Sequence, residues 1–422
     1  MRSSFLAAAI VGVAYATADD VMSLDEKALD HAFATYTAKH GKMYSSLEEY
    51  EMRKSIFKEQ DDMIRAHNNR GKSSFKLGHN HLSDLTKDER TGKLGLHNHE
   101  KLQEMANHVV AEARMLDDSN DTAHYMGLDP NTYAFNNAYF DYPNGYVKKY
   151  DSTTKATSMD WRSGGAVSDV VDQGGCNSSW AFMATEVVSS AYKIQKGTLY
   201  ELSAQQLIDC ARDYGADGCS GGYMFTGFEY YLDDNKPVTS TEYPYTGLVA
   251  ASCAQSDHPG SDVELYEWRY VQPFDTAQLR TAILDNPVGV GINASCSIFQ
   301  AYESGIFTGY WETEEIEDDK TITVVHFCPN LPSDLDHAAV LIGFGTDETE
   351  GDYFILKNTW GTTWGESGYM RIKAEAPNEY DPYGLTSVSG GTNGILTLAV
   401  TVSTGALSVA GFGLMALASL SF

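Results

Sequence analysis

Three stretches of this sequence carry side chains suited to nucleophilic acyl transfer. The first runs Asp172-Gln173-Gly174-Gly175-Cys176-Asn177-Ser178-Ser179-Trp180-Ala181-Phe182. The second is Asp336-His337-Ala338, and the third is Lys357-Asn358-Thr359-Trp360-Gly361, with Trp364-Gly365 just beyond. His337 lies 158 residues after Ser179, and Asn358 a further 21. A nucleophile at a helix N-terminus feels the positive end of the helix dipole. An imidazole across a cleft can hold or remove its proton. A side-chain amide can fix the tautomer and ring orientation of that imidazole.

Groups so far apart in sequence must be brought together by tertiary structure. Residues 179–196 read as a helix, with Trp180, Ala184, Val187, Val188 and Ala191 on one side and Gly197 at its end. Beyond about residue 260, the runs 288–292, 338–344, 353–357 and 369–372 read as strands separated by Gly and Asp turns. The region 392–400 reads as a last strand. Helices first and an antiparallel sheet afterwards make an α+β chain rather than an alternating βαβ one. Before this region, residues 25–70 have helical periodicity. Leu29, Phe33 and Tyr36 precede a turn at His40-Gly41-Lys42; Tyr44, Tyr50, Phe57 and Ile64 follow it. Residues 91–154 have no strong period and read as an insertion or linker, with a possible helix over 100–115. Residues 312–319, ETEEIEDD, carry six carboxylates and read as a solvated loop rather than a calcium or basic-peptide contact.

Composition narrows the classes. The chain has 422 residues, enough for two or three domains. Its 58 acidic residues against 30 basic ones argue against binding nucleic acid or docking on anionic lipid. A basic start, an apolar run over 5–13 and small residues at 14–18 predict a secretory signal over 1–18. Export permits disulfides among the six cysteines; without CxxC spacing, no metal site is expected, and no cofactor is called for. Residues 405–422 form an uncharged apolar tail with no basic residue behind it. This predicts membrane attachment, as a removable lipid-anchor signal or, alternatively, a marginal span.

The motif around Ser179, with Asp336-His337-Ala338 and the Asn358–Trp360 segment, resembles the papain/cathepsin family of cysteine peptidases. The resemblance extends to Leu202-Ser203, Cys210, the Gly218-Cys219-Ser220-Gly221-Gly222 turn and Tyr243-Pro244-Tyr245. Glu49, Arg53, Phe57, Ile64, Asn68, Gly78, Asn80 and Asp84 are similar to the inhibitory propeptide of the cathepsin L type, although Gln60 and Leu82 depart from its usual Asn and Phe. The resemblance implies a helical propeptide domain over 25–90, held in the cleft of a two-lobe peptidase domain over 155–400. It implies Asn358 as the residue orienting His337, Trp360 as a shield for that pair, and Gln173 as an oxyanion donor. It places Gly221, Gly222, Met224, Leu335 and Leu398 near the main side-chain pocket. It pairs Cys176 with Cys219 and Cys210 with Cys253. The family's usual partner for Cys328 falls at Asn393, which leaves Cys296–Cys328 as the remaining pair.

Two residues depart from the family pattern. The family's nucleophilic cysteine falls at Ser179. A hydroxyl is far less acidic than a thiol, and the neutral Asn358 stabilises imidazolium less than a carboxylate does. A Ser179-His337-Asn358 site is therefore expected to be weak or silent. The family's Gly after Cys176 is Asn177, which creates the glycosylation sequon Asn177-Ser178-Ser179; others start at Asn120 and Asn293. Two readings follow: an impaired peptidase zymogen, or a pseudopeptidase that binds peptides or serves as a matrix protein. Its partners would be a peptide or protein ligand and its own propeptide.

Overall fold

In the computed structural model, which describes residues 18–71, 73–96, 147, 148, 150, 156–317, 320–330, 332–374 and 391–404, the periodic N-terminal segment forms two helices. These are α1 (Ala18–His40) and α2 (Leu47–Asn68). Ser46 caps α2 by accepting from the Glu49 N–H, satisfying a donor that the first turn leaves free. Phe33, Tyr36 and Phe57 are buried between the helices, with ring centroids 4.9–6.0 Å apart. A short strand β1 (Phe75–Leu77) and helix α3 (Lys87–Thr91) follow. Thr86 and Glu89 form a capping box at α3. Arg53 reaches Glu49 on its own helix and Glu89 on α3, tying α2 to α3.

The second part begins with β2 (Val147–Lys148) and β3 (Met159–Asp160). Three helices come next: α4 (Ser179–Lys196), α5 (Ala204–Cys210) and α6 (Thr226–Leu232). Helix α4 follows the apolar pattern: Trp180, Ala184, Val187 and Val188 are fully buried. It ends at Gly197, whose φ of 83° lies in the left-handed region that glycine adopts without strain. Then come β4 (Glu267–Val271), α7 (Thr276–Asp285), β5 (Val288–Ile292), β6 (Tyr302–Phe307), β7 (Tyr310–Glu317) and β8 (Lys320–Phe327). The series closes with β9 (His337–Asp347), β10 (Gly351–Lys357), β11 (Tyr369–Lys373) and β12 (Ala399–Ser403).

Among the described residues the strand order is β1-β6-β11-β10-β9-β5-β12-β4-β2, with β3 also on β9. One hydrophobic core surrounds α4, α5 and α6; a second fills the sheet around Phe299, Phe307, Phe354 and Trp364. Strand β9 packs on α4 and joins the two lobes, as the α+β expectation requires. Disulfides join Cys176 to Cys219, Cys210 to Cys253 and Cys296 to Cys328. Asn393 instead donates from Nδ2 to the Asn293 carbonyl at 2.8 Å.

Four details differ from the sequence reading. Residues 312–319 are not a simple loop: 310–317 and 320–327 pair as an antiparallel hairpin. Their acidic count hid the β-branched Thr, Ile and Val residues of the partner strand. The sheet is mixed, because β6 lies parallel to β11 and β2 parallel to β4. The last strand starts at Ala399; Thr392–Gly394 is instead a short 3-10 turn with Asn393 at φ 52°. Both ends of the 91–154 segment are built into the fold. Leu96 bridges to Gly222, and Tyr150 is buried with its carbonyl bound by Gln278 Nε2 at 2.8 Å. The possible helix over 100–115, the segments 1–17 and 405–422, and the sequon at Asn120 lie outside the described residues.

Candidate active site

Ser179 is the first residue of α4, and His337 is the first residue of β9. Each is placed by the end of a buried element, so neither depends on a mobile loop. Ser179, His337, Asn358 and Gln173 are all fully buried. The Ser179 Oγ accepts from the Ala338 N–H at 3.1 Å, which sets the hydroxyl beside the start of β9. His337 Nε2 lies 2.9 Å from Asn358 Oδ1. A carbonyl oxygen only accepts, so Nε2 carries the proton and Nδ1 keeps its lone pair. Nδ1 has no hydrogen-bond partner in this state. Burial pushes the imidazole down to about 4, with the Asn358 bond partly opposing it. At neutral pH the ring is an uncharged base.

Asn358 is held from the other side. Its Oδ1 also accepts from the Thr359 N–H at 2.7 Å, and its backbone N–H donates to the Gly368 carbonyl at 3.0 Å. The preceding Lys357 is buried against Glu186 of α4 at 2.8 Å and against Ser168, which locks the end of β10 to the helical lobe. The Trp360 ring lies 5.0 Å from His337 between centroids and is buried. It therefore keeps water from the imidazole–amide bond. Gln173 is anchored through its Oε1, which accepts from Thr359 Oγ1 at 2.5 Å. This leaves its amide Nε2 facing the cleft.

The cleft is filled by the chain itself. Lys93 donates through Nζ to the Gly174 carbonyl at 2.9 Å, and its own carbonyl accepts from Trp360 Nε1 at 2.8 Å. The Leu94 carbonyl accepts from Gln173 Nε2 at 2.8 Å. Gly95 and Leu96 both donate to the Asp336 carbonyl at 3.1 Å, and the Gly222 N–H donates to Gly95 at 3.0 Å. Gly95 crosses directly over Ser179. A Cβ on it would overlap the Ser179 Oγ and lie 2.8 Å from the Ser179 N. Leu96 runs parallel to Gly222, and its side chain approaches Gly291 alongside Met224 and Leu335. Leu398 lies behind, fully buried, with its carbonyl bound to the Gly291 N–H at 3.0 Å. The predicted pocket residues Gly222, Met224, Leu335 and Leu398 thus converge. Gly221, at φ 121°, turns the chain just before Gly222.

Comparison with known proteins accounts for both parts. Residues 155–384 match the papain family cysteine proteases, and residues 33–89 match the cathepsin propeptide inhibitor domain. This chain belongs to the papain family. It is 32% identical over 361 residues to cathepsin L of Sarcophaga peregrina, covering 84% of this chain and 90% of that one. It is 32% identical over 368 residues to chymopapain of Carica papaya, with 87% of each covered. Among solved structures it is similar to a recombinant stem bromelain precursor, with TM-score 0.67 and 26% identity over 90% of this chain and 99% of that one. It is also similar to digestive procathepsin L 3 of Tenebrio molitor larval midgut, with TM-score 0.61 and 28% identity over 89% and 99%.

Several papain-family site features were not legible in the sequence. The contributions of Leu94 and Gly95 gave no motif, because they act through backbone atoms, and Lys93 is a lone lysine whose Nζ finds its partner only across the cleft. Thr359, which holds Gln173, and Gly291, on which Leu96 packs, were equally silent. The sequon residues divide. Asn293 is buried, with Nδ2 bonded to the Pro329 carbonyl at 2.9 Å, which leaves no space for a glycan. Asn177 is half-buried beside Cys219.

Proposed function

We propose that this protein is a papain-family peptidase zymogen of the secretory route whose nucleophile position carries Ser179, so that turnover is weak. On this reading residues 25–90 are the inhibitory domain, residues 155–400 are the peptidase domain, and 93–96 is the plug between them. The observation that carries it is the Leu94 carbonyl on Gln173 Nε2 beside Gly95 over Ser179. A peptide carbonyl rests on the group that would receive an oxyanion.

Once the plug leaves, the Ser179 Oγ attacks a peptide carbonyl while His337 Nδ1 takes its proton. Gln173 Nε2 and the Ser179 N–H hold the oxyanion, and the imidazolium passes its proton to the leaving amine. Asn358 keeps the ring oriented but adds no negative charge to support imidazolium, so the serine is activated poorly. The apolar pocket of Met224, Leu335 and Leu398 favours aliphatic or aromatic side chains, because a charge left unpaired there is costly.

The test is Ser179→Cys in the chain freed of its propeptide. Hydrolysis should rise at least ~10²-fold, since a thiol ionises beside the same His337. No gain would sink the peptidase reading. A second reading, a peptide-binding pseudopeptidase, is favoured by one observation. Ser179 Oγ is bonded to the Ala338 N–H, while His337 Nδ1 is unpartnered. A fluorophosphonate that leaves Ser179 unlabelled, together with peptide binding in the cleft, would support it.

A further inference from the structure

The two residues that depart from the papain-family pattern, Asn177 and Ser179, are the first and third letters of one sequon, Asn177-Ser178-Ser179. Neither departure makes it alone. A glycine at 177 supplies no amide, and a cysteine at 179 breaks the Asn-x-Ser/Thr rule. The chain also carries the mark of a compartment where sugars are added, since all six cysteines are paired in disulfides.

The folded structure keeps the Asn177 amide available. The residue is half-buried, and Oδ1 is its enclosed end, with no hydrogen-bond partner. Nδ2, the atom a sugar takes, makes no hydrogen bond and reaches solvent. Gly175 and Ser220 nearby are exposed, and a Cβ on Gly174 or Gly175 would meet nothing within 4 Å. The segment is nevertheless fixed. Cys176 is bridged to Cys219, and the Asn177 N–H donates to the Cys219 carbonyl at 3.1 Å. All this holds with the 93–96 plug seated, so a sugar and the plug can share the rim of the cleft. Asn293 is the contrast: it is buried, and its Nδ2 is engaged by the Pro329 carbonyl at 2.9 Å.

We propose that Asn177 carries an N-linked glycan, with Ser179 as the hydroxyl that specifies it. This rests on the secretory-route part of the reading above and not on turnover at Ser179. The step joins Nδ2 to the anomeric carbon of an oligosaccharide carried on a polyprenyl diphosphate. The anomeric C–O bond breaks, the lipid diphosphate leaves, and the amide gives up one N–H proton. Ser179 is fully buried at the start of α4, with its Oγ held by the Ala338 N–H. Its hydroxyl is therefore read in the extended chain, before α4 and β9 close on it. In the folded protein the first sugar stands on the rim between Gly174, whose carbonyl holds Lys93, and Gly222, whose N–H holds Gly95. One residue is then both the nucleophile position and part of a modification signal.

The experiment uses the full chain made in eukaryotic cells. The chain is digested, and the peptide containing Asn177 is weighed before and after an amidase removes N-linked sugars in heavy-oxygen water. The amidase should leave a heavy-oxygen aspartate at position 177, and Asn293 should stay unmodified. Asn177→Gln and Ser179→Ala should each lose one glycan from the intact mass, while Ser179→Thr should keep it. Sugars are added before folding, so a variant that misfolds is scored in the same way. An unmodified Asn177 peptide from a chain that has entered the secretory route overturns the proposal and leaves the zymogen reading standing. A glycan kept in Ser179→Ala overturns the role given to that hydroxyl. A chain that stays in the cytosol with its cysteines reduced overturns both the proposal and the secretory-route reading.

Discussion

His337 and Gly95 define what the site can do at the scale of single residues. His337 is neutral at pH 7 and its Nδ1 has no hydrogen-bond partner, so it can accept a proton. Gly95 holds the opposite role, since its bare Cα is what allows the chain to pass over Ser179. Gly95→Ala should strain this crossing by about 1–3 kcal/mol, or roughly five- to 150-fold in plug affinity. In a Ser179→Cys background, Gly95→Ala should be labelled faster by a thiol-directed epoxide at neutral pH. Equal labelling would mean that the plug slides aside without cost. The pocket gives a second expectation. A peptide library offered to the activated Ser179→Cys form should select aliphatic or aromatic residues, and a preference for Arg would overturn the assignment of Met224, Leu335 and Leu398.

At the scale of elements, the N-terminal helical segment is held by a buried polar contact. Helix α1 and the turn after it converge on Asp84, whose carboxylate accepts from Tyr36 at 2.7 Å, Tyr44 at 2.8 Å and Lys42 at 2.6 Å. Burial opposes its ionisation, but these bonds together hold it below the usual carboxylate range. Asp84 therefore contributes stability above its unfolded pKa near 3.9 that is lost as pH falls through its lower folded value. Asp84→Asn should destabilise the propeptide domain by about 3 kcal/mol at pH 7 by leaving the partly buried Lys42 unpaired. Thermal melts should then lose most of their dependence on pH below 4. A variant as stable as the wild type at pH 7 would show that the Lys42 ammonium finds water instead. The helical periodicity of α1 and α2 was readable because Phe33, Tyr36 and Phe57 recur on one face. The hairpin of β7 and β8 was not, because charge dominated that stretch of sequence.

For the whole molecule, the described residues place two lobes, a propeptide domain and a plug in one assembly. No helix among them is long and apolar enough to cross a membrane. The apolar tail over 405–422 lies beyond them, and its eighteen residues would make at most ~27 Å of helix. We expect the tail to direct membrane attachment. Full-length chain should be retained at the membrane and a chain ending at Thr404 secreted. Release of the full chain by a phosphatidylinositol-specific lipase would identify a lipid anchor, and equal secretion of both forms would remove the tail from the account.

The sequence alone determined the family and the α+β class, and it marked Ser179, His337, Asn358, Gln173 and Trp360 as the candidate site, because these side chains sit in local motifs whose spacing can be read. It also carried α4, since burial of Trp180, Ala184, Val187 and Val188 imposes a helical period. Only the tertiary structure decided how the cleft is closed. Leu94 and Gly95 act through carbonyls, an amide and a missing side chain, and backbone groups leave no signature in a sequence.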